Sequence, residues 1–207
     1  MKRLVLRSTL LVVGVVAAWQ STGAGPAMAA APMAQAGAGP QWTTLLDGTS
    51  LTGWDVLGTA NWRVANGSVE ADAGEGFLVS PVPYGNFRLR VEVWTDPDAN
   101  SGVFIRCSNP KEIGAATCYE VNIFDKRPDP KFRTGAIVNL APPLVQIDAA
   151  NRWNTLEITA EGSHLVVRLN DTLTVDATDA KLASGPFALQ RGAGIVRFRR
   201  VQIMPLS

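Results

Sequence analysis

Histidine and cysteine are nearly missing from this 207-residue chain, which carries one His and two Cys. One imidazole removes any site built on several histidines, and two thiols with one distant imidazole cannot complete a tetrahedral zinc shell. Two cysteines are also too few for a disulfide-scaffold miniprotein. Neither sign of charge dominates: 19 Lys and Arg stand against 18 Asp and Glu, for a net +1. Nothing in that balance argues for a nucleic-acid binder held by phosphate contacts. There is no nucleotide-binding P-loop and no glycine fingerprint opening a helix. A Ser–His–Asp centre would need His164, which follows Glu161-Gly162-Ser163 and reads as a solvated turn residue rather than a catalytic one. What remains is ordinary globular material, 46% hydrophobic and 18% charged, well away from disordered composition.

The first thirty residues are a different material. Lys2, Arg3 and Arg7 form a basic start, and Leu10 to Ala18 is apolar but about half the ~20 residues a bilayer span needs. Ala27-Met28-Ala29 then supplies the small-x-small pattern of a signal-peptidase site. Residues 1–29 therefore read as a secretory signal peptide, with no Cys after the apolar core to carry a lipid. Its removal takes away three positive charges and no negative ones, changing the formal charge from +1 to −2. The expected address is the periplasm or the cell exterior, with no membrane contact after cleavage. Residues 30–40 (AAPMAQAGAGP) form an Ala/Gly/Pro linker, and one folded domain is expected over 41–207.

From Trp42 onward the hydrophobic period is two. Phe87, Leu89, Val91 and Val93 alternate with Arg88, Arg90, Glu92 and Trp94. Tyr119, Val121 and Ile123 alternate with Glu120, Asn122 and Phe124 in the same way, and Trp153–Ala160 and His164–Asn170 repeat the pattern. Asn66-Gly67 between two short strand-like runs is a strong hairpin signal. No window of a dozen residues carries a helical stripe. The chain is expected to be all-β, a two-sheet antiparallel β-sandwich. In the last strand Val196 and Phe198 share one parity and Val201 and Ile203 the other. That pattern calls for a bulge near Arg199-Arg200, or for a strand that crosses between sheets.

Cys107 and Cys118 are expected to form a disulfide in an exported chain. Parity objects, because Cys107 falls with Val103 and Ile105 whereas Cys118 falls with Glu120 and Asn122. A bonded pair needs a bulge, or a cysteine that has left the ladder. Three successive strands would present Arg88, Arg90, Glu92 and Trp94, then Phe104 and Arg106, then Glu120, Asn122 and Phe124. Charged groups among aromatic rings suit a small carbohydrate, rings stacking on its apolar face and planar groups meeting its hydroxyls. Any antiparallel sheet with one wet face alternates in this way too. Ordinary glycoside hydrolysis needs two carboxyl groups about 5 to 9 Å apart. The strand Glu120-Val-Asn-Ile-Phe-Asp125 puts its second carboxylate at the wrong parity for that.

Six segments then resemble, in order, the motifs of the 3-keto-disaccharide hydrolase domain family: Leu45–Val56, Asn100–Arg106, Tyr119–Asp125, Arg133–Ile137, Arg152–Thr155 and Gly185–Gln190. The resemblance covers essentially Trp42–Leu206. It implies a concanavalin A-like jelly-roll sandwich, export, and action on sugars whose C3 hydroxyl has become a ketone. Many relatives carry Gln where this chain has Asn122. The hairpin after Leu169 reads Asn170-Asp171 rather than Asn-Gly, which puts αL strain on Asp171. A C3 ketone acidifies the C2 proton, so one base suffices to expel the C1 oxygen by β-elimination, after which water adds back. The resemblance makes Glu120 the base, Arg106 the electrostatic partner of the enolate and Asp125 a hydroxyl ligand, cation ligand or acid. Asn122, Asn100, Trp94, Phe104, Phe124, Arg133 and Gln190 are the expected substrate contacts. No organic cofactor is expected; a divalent cation is the alternative to an arginine for the enolate oxygen. The loop Asp125–Thr134 (DKRPDPKFRT) is expected to rim the sugar pocket, with a solvated connector as the other reading. Three functions stay open at this point: an enzyme cleaving or hydrating 3-keto-glycosides, a non-catalytic carbohydrate-binding module, and an exported structural or adhesive domain.

Overall fold

In the computed structural model the described residues are 41–207; the signal peptide expected over 1–29 and the linker expected over 30–40 lie outside them. Thirteen strands follow one another: β1 (Thr43–Leu46), β2 (Asp55–Gly58), β3 (Arg63–Ala65), β4 (Ser68–Ala71), β5 (Gly76–Val79), β6 (Phe87–Thr95), β7 (Ser101–Ile105), β8 (Tyr119–Ile123), β9 (Trp153–Glu161), β10 (His164–Leu169), β11 (Thr172–Thr178), β12 (Ala188–Arg191) and β13 (Val196–Pro205). Among the described residues the one helical element is a 3₁₀ turn at Pro130–Phe132, and no helix is long and apolar enough to cross a membrane.

The strands form two antiparallel sheets. The larger runs β11-β10-β9-β6-β13-β4-β3, with β1 also on β13; the smaller runs β2-β5-β12-β7-β8. Period two decides which side of each strand is dry. Phe87, Leu89, Val91, Val93, Leu156, Ile158, Leu165, Val167, Val196 and Phe198 of the large sheet are buried in one core with Leu78, Val103, Ile105, Tyr119, Val121, Ile123 and Leu189 of the small one. The fold is the expected two-sheet sandwich.

Local chemistry sets the corners. Asn66 and Gly67 both take positive φ (51° and 71°) and join Ala65 to Ser68 across a two-residue turn, the mirror-image turn that strand twist favours. The bulge expected in the last strand is present. The β13–β6 register shifts between Arg199 and Gln202, Arg200 has φ 47°, and Val201 and Ile203 regain the core face. The bulge divides β13 into a first part that pairs with β4 and a second that pairs with β1.

The cysteines are bonded, with Cα atoms 4.2 Å apart. Their parity conflict is resolved at one residue. Strand β7 ends at Ile105, and Arg106 takes φ 51°, so Cys107 has left the ladder. The alternation restarts there, and the cysteine that counted as core-facing comes to the outer side, beside Cys118.

The β10–β11 turn holds Asn170 and Asp171 at φ 50° and 65°. The left-handed conformation strains an exposed Asp that glycine would relieve, so Asp171→Gly should stabilise the protein by about 0.5–1 kcal/mol. Thermal melting would register this as a rise in Tm of roughly 1–4 °C; a fall would show that Asp171 carries no strain.

Candidate functional site

The outer face of the small sheet carries the candidate site. Register lines its side chains up in two rows. In one, Phe77 of β5 lies opposite Gln190 of β12, and Gly102 of β7 opposite Asn122 of β8. In the other, Val79, Ala188, Phe104 and Glu120 run in sequence across β5, β12, β7 and β8. Phe104 is 2% exposed and meets Phe77 edge-on at 5.3 Å. With Val79, Ala188 and the disulfide it makes a small second core on the outside of the sheet. Phe104 is therefore the floor of the site and offers no free ring face. Phe77 is the ring that remains half-exposed. Sequence reasoning passed over it, because four residues of β5 give too short a run to fix parity.

Glu120 stands on this floor half-buried, and its carboxylate makes no ion pair or hydrogen bond among the described residues. Burial raises its pKa above the ordinary glutamate range, and the positive charge of Arg127 offsets part of that rise. Such a group, desolvated with a nearby cation and free of structural partners, has the properties of a general base.

Two orphaned acceptors flank the bare position at Gly102. Asn122 is fully buried and donates from Nδ2 to the Phe132 carbonyl, while its Oδ1 has no partner. Gln190 Oε1 is likewise buried and unpartnered, and lies 3.6 Å from where a Gly102 side chain would begin. Asn100 and Phe124 are half-buried at the end of the face where β7 begins and β8 ends. Arg127 lies over Phe124 at 5.9 Å and over Phe132 at 5.8 Å.

Three expected members are placed elsewhere. Trp94 belongs to β6 in the large sheet, so its side chain is on the far side of the sandwich, under the Arg197 guanidinium at 4.3 Å. Period two shows that residues share a face of a strand but not which sheet the strand joins. Arg106 is 1% exposed and turned away from Glu120. Its Nε donates to Gly85 O (2.9 Å), and its Nη1 to Gly162 O (2.7 Å) and Leu182 O (3.2 Å). The left-handed backbone that brings Cys107 outward is what withdraws Arg106 from the site. Asp125 accepts from the backbone N–H groups of Ala149 and Ala150 at 2.8 and 2.9 Å and from the Thr134 hydroxyl. That carboxylate braces a loop and has no spare role as an acid. His164 is exposed on β10 and pairs with Asp176 at 2.7 Å, as a solvated residue should.

Asp125 and Arg133 do line a cavity of about 540 Å³ at the end of the sandwich, with Pro97, Lys126, Asp148, Ala150 and Asn151. Arg133 Nε donates to the Arg127 carbonyl at 3.0 Å, which ties this cavity to the residue nearest in charge to Glu120. Among the described residues no three His, Cys, Asp or Glu side chains converge as ligands for a cation.

A family model described as the 3-keto-alpha-glucoside-1,2-lyase-like domain matches residues 41–204. No curated protein matches the chain. Among solved structures, a protein provisionally described as a glycosyl hydrolase from Parabacteroides distasonis aligns with TM-score 0.72 at 18% identity, over 80% of this chain and 94% of that one. A carbohydrate-binding module of Bacillus subtilis aligns with TM-score 0.60 at 21% identity, over 74% and 96%. A galectin-like protein of unknown function from Bacillus subtilis aligns with TM-score 0.53 at 11%, over 79% and 94%. At these identities the likeness is one of fold, the concanavalin and galectin type of sandwich.

Two predictions separate the site from its scaffold. Lysine keeps the charge of Arg106 but cannot fork to three carbonyls. Arg106→Lys should therefore destabilise the protein by about 2 kcal/mol or more, seen as a lower denaturation midpoint; an unchanged midpoint would free Arg106 for another role. Glu120 behaves in the opposite way. Its pKa is raised in the folded state, so its own contribution to stability is fully present below the ordinary glutamate range and is lost as pH rises through the raised value. Gln does not titrate. Glu120→Gln should match the native protein at low pH and exceed it at neutral pH in chemical denaturation. A variant less stable at neutral pH would mean that the carboxylate is a structural group.

Proposed function

Because the chain belongs to the 3-keto-alpha-glucoside-1,2-lyase-like domain family, we propose that it is an exported carbohydrate-active enzyme that cleaves or hydrates 3-keto-glycosides, with Glu120 as its base. One observation carries the reading. On the outer face of the small sheet a half-buried carboxylate without a structural partner is held above the ordinary glutamate range, next to two orphaned amide oxygens. A base of raised pKa suits abstraction of a weakly acidic C–H proton.

In this reading the Glu120 carboxylate takes the proton from C2, which the C3 ketone acidifies. The C–H electron pair becomes the C1–C2 double bond, and the C1–O bond breaks. The departing oxygen takes a proton from water, the hydroxide so formed adds to C1, and the proton held by Glu120 returns to C2, which gives the free sugar and restores the carboxylate. Arg127 replaces Arg106 as the cation for the enolate oxygen, since its charge is felt at Glu120 and its guanidinium lies over the ring of Phe124, which directly follows the strand that carries Glu120. Phe77 offers the ring face. One base and one cation are sufficient for this chemistry, so no second carboxylate is required. The signal-like residues 1–29 and the Cys107–Cys118 bond support work outside the cytoplasm.

Purified protein incubated with a 3-keto-disaccharide, with and without chelator, tests the proposal. Turnover is expected. Glu120→Gln should lower it by about 10²- to 10⁴-fold, the usual contribution of a positioned base. The acid limb of kcat/KM should fall above the ordinary glutamate range, activity being lost as pH drops through it. Saturable sugar binding without turnover would instead make the chain a carbohydrate-binding module.

A further inference from the structure

We infer that Asn122 is a positioning residue: its buried side-chain amide holds the turn Pro130–Phe132 down on the small sheet and so fixes Arg127 beside Glu120. The inference rests on the Glu120 reading above. It moves Asn122 from the substrate contacts to the machinery that places the cation.

The chain leaves β8 at Phe124 and returns beside it at Gly135, and Asn122 holds both the return and the middle of that excursion. Its backbone N–H donates to Ala136 O at 3.0 Å, and its carbonyl accepts from the Gly135 N–H at 2.9 Å. Its Nδ2 donates to the carbonyl of Phe132. In its row on the outer face Asn122 has Gly102 on one side, with no side chain, and Ala136 on the other, with only a methyl. Such small neighbours leave room for the turn to come down onto the sheet, and Asn122 is 0% exposed where the turn meets it. The working atom is Nδ2, because Oδ1 is buried without a partner. An orphaned buried oxygen is a cost that an apolar side chain of similar size would not incur.

What the excursion carries is Arg127. Its guanidinium lies 5.9 Å from the ring centroid of Phe124 and 5.8 Å from that of Phe132, and its carbonyl accepts from Arg133 Nε at 3.0 Å. It makes no ion pair among the described residues, so the two rings are what direct a long side chain with many rotamers. Phe124 adjoins the strand, whereas Phe132 lies at the far end of the excursion and meets the same guanidinium through a backbone tied to Asn122. The other charges around Glu120 are engaged or turned away. Arg106 is buried and turned from it, Lys126 is paired with Asp98, and Asp125 and Arg133 border the cavity at the end of the sandwich. Asp129 and Lys131 on the turn, and Lys111 and Glu112 between the cysteines, are exposed. Arg127 is the charge felt at Glu120, where it offsets part of the rise that burial causes.

Titration of the Glu120 carboxyl by carbon NMR reads this coupling without any turnover. Arg127→Met removes the cation, and Asn122→Leu removes the donor while keeping size and neutrality. Each should raise the Glu120 pKa above its native value. Together they should raise it no further than Arg127→Met alone, because the amide acts through the cation. An unmoved Glu120 in Asn122→Leu overturns the inference. A shift that persists undiminished in the Arg127→Met background overturns it too, since the amide would then act on Glu120 directly. If Asn122→Leu does not fold, Phe132→Leu decides, because it keeps the carbonyl that Asn122 binds and removes only the ring. A raised Glu120 pKa then supports the route through the turn, and an unmoved one refutes it. With a 3-keto-disaccharide, Asn122→Leu should lower kcat by about 10²-fold, the effect of a misplaced group, and the double variant should fall no lower than Arg127→Met. Absence of turnover in the native protein would defeat the Glu120 reading, whereas the titration alone decides whether Asn122 places Arg127.

Discussion

A buried arginine in a left-handed conformation organises one end of this sandwich. Arg106, at φ 51°, ends β7 and sends its guanidinium between three loops that are distant in sequence: Gly85–Asn86, Gly162 and Leu182. Its acceptors are carbonyl and amide oxygens, with no carboxylate among them in the described residues, so the cation is neutralised only by dipoles. Breaking any of those bonds would leave a buried donor or carbonyl unsatisfied, which costs more than the bond itself contributes. The same backbone turn brings Cys107 to Cys118 and sets both under the second small core. Gly185 passes so close to Cys107 that a side chain there would begin 2.2 Å from its carbonyl oxygen. Loop closure, the disulfide and the floor beneath Glu120 are thus consequences of one residue's φ.

Much of this was legible before any coordinates. Wherever the backbone stayed extended, parity put residues where it should, as with Tyr119, Val121 and Ile123 inward and Glu120 outward. Turn chemistry gave the Asn66-Gly67 corner and the strain at Asp171, and the broken parity of β13 gave its bulge. The failures have two physical causes. Counting by twos assumes continued extension and so puts Arg106 on the site face, and a single left-handed residue reverses the count. The broken cysteine parity was the sign of it, since the two facts are one. Trp94 was grouped with Glu120 because alternation describes one strand at a time, whereas sheet membership depends on pairing with residues far away in sequence.

The side chains that alternation placed on β6 have their own use. Arg90 lies over Trp42, Arg197 over Trp94 and Arg199 over Trp153, with ring-centroid distances of 4.7, 4.3 and 4.0 Å. Glu157, Glu70 and Glu92 anchor these arginines from neighbouring strands at 2.6 to 3.0 Å. Isolated surface ion pairs contribute little. Here they hold each guanidinium flat on an indole, which covers apolar surface and adds cation–π attraction. The two outer faces are therefore unlike in kind. Arg90, Arg197 and Arg199 on the large sheet are each held by a carboxylate, whereas Glu120 on the small sheet makes no ion pair among the described residues.

The split strand β13 has a consequence for when folding can happen. It lies between β6 on one side and β4 and β1 on the other, yet it follows all of them along the chain. The middle of the large sheet stays open until residues 196–205 have been made, and the Arg106 clasp must likewise wait for Gly162 and Leu182. Pairings between such distant segments form slowly, because loop closure precedes the contacts that reward it. A nascent chain with this topology cannot complete its fold behind the ribosome as it emerges.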